Sequence, residues 1–119
     1  MNNENYSDAV QALENEKKPA ITREDILLEA RRCVCGEREQ DYGSPENNLE
    51  TIAAFWSTYL ESVLDIDMIF LSGTDVSAMM GLLKIARIAS GHSKADNWID
   101  LAGYAALGGE LEANEEAKI

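Results

Sequence analysis

The chain is short of the residues on which most site chemistry depends. Its 119 residues include one histidine, His92, and two cysteines. Cys33 and Cys35 stand two apart, so on a helix they point about 200° from each other. That geometry chelates poorly, and with one histidine no zinc site is expected. Long apolar runs are missing as well: nothing approaches the roughly 18 residues that span a bilayer. The opening "MNNENYSDAVQALENEKKP" has no basic start followed by an apolar stretch, which argues against a signal peptide. The expectation is a cytoplasmic protein with reduced thiols. Cations are scarce, with 10 Lys and Arg against 22 Asp and Glu and a formal charge of -12. Such a chain repels the nucleic-acid backbone, so nonspecific DNA or RNA binding is not expected. A local basic pocket for a small phosphorylated ligand remains compatible with it.

What is present is helical periodicity. The length fits one domain with a modest core, of the kind that often gains core by oligomerising. Residues 1–20 read as a polar arm or short docking helix ending at Pro19, residues 21–113 as the folded domain and residues 114–119 as an acidic tail. "TRED" offers a capping box at Thr22 and Asp25, opening a helix to about Glu39. Ser44 and Pro45 open a second helix, to about residue 63, with Leu49, Ile52, Ala53, Phe55, Trp56, Tyr59 and Leu60 on a broad apolar face. "DIDMIFLSG" is too short for another helix and reads as a turn or short extended piece. Thr74 opens a helix that is apolar almost all round and therefore central, with Met79 and Met80 as core filling. Gly91 stops it. Ser93 caps the last helix, which runs to roughly residue 113. No alternation of period two is sustained. The fold class is all-α, a bundle of four main helices.

The last two helices carry the unusual chemistry. Taking residue 93 as the centre of the short "GHS" loop, Arg87 and Asp100 fall within an ångström or two of the same level at about 1.5 Å per residue. Lys84 lies one turn from Arg87, and Asp96, Asn97 and Tyr104 flank Asp100. Asp96 is accounted for as the acid of an "SKAD" capping box, and Arg87 with Asp100 as a single ion pair. A gathering of two bases, two acids, an amide and a phenol on an apolar hairpin nevertheless marks a site candidate, because buried charge is costly unless paired. Lys84 and Arg87 suit phosphate oxygens, and Asp96 and Asp100, one turn apart, suit a divalent metal.

"REQDYGSPENN", residues 38–48, does turn and capping work as a helix connection. Alternatively Arg38, Asp41, Tyr42 and Asn48 rim the same pocket beside a helix N-terminus suited to anions. Trp56 and Tyr59 read as core or subunit interface rather than as a base-stacking platform.

Three blocks, "REQDYGSPENNLETIAAFW", "DVSAMMGLLKIARIASG" and "DNWIDLAGYAALGGE", together resemble a family of small uncharacterised phage and prophage proteins. That resemblance implies a bacterial-virus origin and the host cytoplasm as the place of action. The blocks are similar, more distantly, to the MazG-like all-α nucleoside triphosphate pyrophosphohydrolases. These are oligomeric helical bundles that use Mg²⁺ held by an ExxE and an ExxD pair. By position, Asn97 and Asp100 of "NWID" match the second pair, whereas "LLKIAR" puts Lys84 and Arg87 where ExxE stands. A basic pair cannot hold Mg²⁺, so the metal motif is incomplete. A basic helix followed by "DN..D..Y" is also similar to domains associated with phage nucleotide modification.

The leading expectation is a phage-type homo-oligomer, by default a dimer, that binds a nucleotide or related phosphorylated metabolite. Lys84 and Arg87 would meet the phosphates. Asp100, with Asp96 and Asn97, would orient those bases or hold Mg²⁺, and Tyr104 and Tyr42 would line the pocket. Were there hydrolysis, Asp96 and Asp100 would be the catalytic acids. The rival expectation is a non-catalytic protein-interaction or structural helical oligomer.

Overall fold

Thr22 and Asp25 start the first helix as their spacing predicts. In a computed structural model, which describes residues 20–36, 45–91 and 94–118, helix α1 spans Arg23–Cys35. The Thr22 N–H donates to Asp25 Oδ2 at 2.9 Å, and the Asp25 N–H donates to Thr22 Oγ1 at 3.2 Å. The backbone bond, followed by that from the Thr22 hydroxyl, holds the Asp25 carboxyl below its ordinary range. Cys33 and Cys35 are free thiols.

Helix α2, Pro45–Leu64, starts at the expected proline. It ends in a Schellman turn, in which the Ile66 N–H reaches the Glu61 carbonyl at 3.2 Å across Asp65, whose φ is 51°. "DIDMIFLSG" is then a non-helical connection, and Met68 also takes a left-handed φ of 65°. A side chain such as methionine adopts that backbone only at a cost, so the connection must be held from outside. Three α2 side chains do this. Glu61 Oε1 accepts from the Ile69 N–H at 3.1 Å, Ser57 Oγ from the Leu71 N–H at 2.9 Å, and Glu50 Oε1 from the Gly73 N–H at 3.1 Å. The Ser57 hydroxyl also donates to the Ala53 carbonyl at 2.7 Å.

Helix α3 spans Gly73–Ala89 and is opened by Ser72 rather than Thr74. Ser72 has Asp75 three residues on, which completes a capping box, whereas Thr74 has Ser77 at that position. Ser90 closes α3 and Gly91, at φ 88°, makes the left-handed exit. Helix α4 spans Ala95–Ala117. Its N-cap is Lys94, without a side-chain capping bond; the Asn97 N–H bonds the Lys94 carbonyl at 3.0 Å. The expected Asp96 box is therefore not formed in that register, and Ser93 lies outside the described residues. The helix also continues beyond residue 113, because "EANEEA" is rich in the helix formers alanine and glutamate.

The described residues contain no strand. α3 packs along most of α4 and on its other flank against α2, while α1 rests on α4. Close approach is permitted by glycines: a Cβ on Gly103 would come within 3.1 Å of Val34, and one on Gly108 within 3.2 Å of Ser77. The core is Leu49, Ala53 and a wholly enclosed Val76, with Ile52, Trp56, Leu71, Met80, Leu107 and Leu111 packed on it. Met80 fills core as expected; Met79 does not, and is exposed.

Two outcomes test this account. Ser57→Ala leaves the Leu71 N–H without its acceptor and should cost about 1–3 kcal/mol in urea unfolding, whereas Thr58→Ala, which removes an exposed hydroxyl bond, should cost under about 0.5 kcal/mol. Because the folded-state pKa of Asp25 is depressed, its contribution to α1 is present above the unfolded pKa and is lost as pH falls through the folded one. Amide exchange at the start of α1 should therefore accelerate on acidification, and Asp25→Asn should remove that pH dependence.

Candidate functional site

Val76, Met80, Lys84 and Ile88 follow one another at four-residue steps and so share the inner face of α3. Lys84 is thus carried inward, and its Nζ meets Asp100 Oδ2 of α4 at 3.1 Å. The lysine side chain is 16% exposed and the aspartate 36%. The hairpin arithmetic brought the right acid to the right level but to a different base. Arg87 lies off that face, is exposed and makes no ion pair among the described residues. Its backbone carbonyl accepts from the Ser90 hydroxyl.

Asn97 is buried, one turn before Asp100. Asp96 is exposed in the first turn of α4, where an acid suits the helix dipole. Lys84, Asp100 and Asn97 are thus brought to the α3–α4 seam, while Asp96 and Arg87 are outside it. Among the described residues no three of His, Cys, Asp and Glu converge as a metal-binding group. Asp100 is engaged by Lys84, and Asp96 faces solvent.

Tyr104 is half-buried and faces elsewhere. It lines an open groove of about 420 Å³ between α3 and α4, together with Ser77, Gly81, Ile85, Leu101 and Gly108. Lys84, Arg87, Asn97 and Asp100 do not line this groove. Ser77 Oγ is buried there without a hydrogen-bond partner. Asn48 is exposed near the start of α2, the end that Glu50 ties to Gly73. Lys84 lies eleven residues further along α3, roughly 16 Å away along the helix. Arg38, Asp41 and Tyr42 lie outside the described residues, as does His92.

The feature that residue-by-residue reading missed is a surface. Phe55, Tyr59 and Val63 form an exposed stripe on α2, and Met79, Leu82 and Leu83 one on α3. Met68 and Phe70, on the connection between them, are 74% and 81% exposed. The indication was in the sequence: a helix apolar all round needs cover all round, and α2 and α4 cover only part of α3. Single exposed apolar residues are ordinary, but runs of them on consecutive elements are less so.

The ion pair can be tested by double-mutant analysis. Lys84→Met strands Asp100; because the aspartate is partly solvated, the cost should be about 1–2 kcal/mol rather than that of a fully buried pair. Combining it with Asp100→Leu should recover part of the loss, a coupling measurable by thermal or urea denaturation.

Comparison with known proteins gives a family and two phage relatives and adds no chemistry. Two curated relatives are both called "Gene 55 protein". That of Mycobacterium phage D29 is 42% identical over 82 residues, covering 69% of this chain and 50% of the relative. That of Mycobacterium phage L5 is 36% identical over 93 residues, covering 78% of this chain and 56% of the relative. The chain thus spans about half the length of the curated relatives it matches. No solved structure gave a significant match. No described helix is long and apolar enough to cross a membrane. A family model described as "Domain of unknown function (DUF6378)" matches residues 25–112, from the capping acid of α1 to the outer turns of α4, and the chain belongs to that family.

Proposed function

We propose that this chain is a phage protein-interaction module that works by non-covalent association and carries no pyrophosphohydrolase centre of its own. The observation that supports it is the exposed apolar surface of α2, α3 and their connection. The described residues bury few apolar side chains: Ala30, Leu49, Ala53 and Val76. At the same time Phe55, Tyr59, Phe70 and Leu82 are each more than 60% exposed. Large apolar groups left to water gain free energy when a partner covers them.

A second reading is favoured by the inward Lys84. A phosphorylated small molecule, a nucleotide among the candidates, would bind at Lys84 and Arg87, consistent with the distant MazG-like resemblance. Against it, the Lys84 charge is taken up by Asp100 at 3.1 Å, so a phosphate would have to displace a carboxylate or rely on Arg87.

A thermal-shift series separates the two. A ligand that binds the native state raises its melting temperature by mass action. With NTPs, dNTPs, NMPs and cyclic dinucleotides, each with and without Mg²⁺ or Mn²⁺, the interaction reading expects no selective rise. A rise of several degrees with one class, abolished by Arg87→Met in a folded variant, would replace it with the phosphate reading.

A further inference from the structure

The exposed stripes coincide with the part of the sequence from which charge is excluded. Between Glu50 and Glu61, α2 reads "TIAAFWSTYL", without a charged residue. From Met68 to Thr74 the chain reads "MIFLSGT", and from Val76 to Leu83, "VSAMMGLL", again without charge. Over the whole chain 27% of residues are charged and the formal net charge is -12. Glu61, Asp65, Asp67 and Asp75 border these windows, and the densest acidic segments are "ENEKK", "TREDILLEARR" and "ELEANEEAK".

Resting on the interaction reading above, we infer that the partner is a second copy of this chain, docked through α2, α3 and the connection between them as a two-fold dimer. Two such acidic molecules repel each other over most of their surfaces, and an uncharged face is where they can approach. A basic partner drawn to this protein would seat on the acids, not here. The area is adequate. Phe55, Tyr59, Phe70, Met79, Leu82 and Leu83 expose roughly 100 Å² each, and with Val63 and Met68 the face offers on the order of 800 Å² per subunit, the size of a standard stable interface. Permanent homodimer interfaces have this composition, apolar at the centre with charge depleted. The same surface serves both subunits, so α3 of one copy gains on its outer side the cover that the other described helices do not give.

The test is the mass of the full chain by light scattering after gel filtration, over a hundredfold range of concentration, with an apolar fluorescent dye as a second readout. A monomer has a mass of 13.1 kDa. The expected result is twice that mass with little dye binding. Phe55→Glu and Leu82→Glu should each shift the molecule towards monomer and raise dye fluorescence, while Glu116→Lys, on the exposed end of α4, leaves the dimer intact. Should the glutamate variants fail to fold, Leu82→Cys in a Cys33→Ser, Cys35→Ser background gives a gain of signal, with cross-linking between copies by a short bis-maleimide. A wild-type monomer that binds dye strongly overturns the second copy as partner and leaves the interaction reading standing. A wild-type monomer without dye binding overturns both. A dimer unaffected by folded Phe55→Glu and Leu82→Glu variants overturns the assignment of the face.

Discussion

The close approach of α3 to α4 is the contact on which the other features depend. A side chain of ordinary size at position 108 would hold α3 off α4, since a single Cβ there comes within 3.2 Å of Ser77; position 103 is constrained likewise by Val34 of α1. Small residues along the seam bring the backbones together, and two consequences follow. Lys84 and Asp100 come near enough to pair, and the room on α3's inner face is used up by α2 and α4. Among the described residues no third helix packs on it, and the outer face of α3 stays apolar and open.

The ion pair and the open face represent different solutions to the burial of an awkward group. Lys84 occupies a position in an apolar ladder, where an isolated charge would be prohibitive; it is tolerated because Asp100 is opposite and because the aspartate keeps contact with water. A pair of this kind fixes the rotational setting of one helix on the other more than it adds stability. Among the described residues the apolar stripes have no such partner, and they stay open to solvent.

Much of the fold was legible in the sequence where local rules sufficed. The Thr22–Asp25 box, the proline start of α2 and the Gly91 exit are each set by neighbours within a few residues, and each is found. Local reading stopped short where a tertiary contact decides. The start of α3 is an exception, since the Ser72–Asp75 box that sets it is local, whereas Thr74 has Ser77 three residues on. The choice of Lys84 over Arg87 opposite Asp100 is a matter of helix rotation, which level counting alone does not contain. Glu50, Ser57 and Glu61 look like routine polar positions on α2; their role as acceptors for the connection exists only once the chain has turned back. Exposure of Phe55 and Leu82 is likewise invisible to periodicity, which reports that a face is apolar but not what covers it.

The packing of Val34 beside Gly103 has a consequence for how the chain assembles. The contacts of α2 with α3 and of α3 with α4 join helices that are consecutive, so each forms by closing a short loop. The contact of α1 with α4 instead closes a loop that contains both of the other helices. Closure entropy grows only with the logarithm of loop length, so this long-range contact can tolerate insertions in the segment between α1 and α2. It forms only where α4 is already held against α3, so α1 is joined to the rest through α4 rather than through its neighbour in sequence.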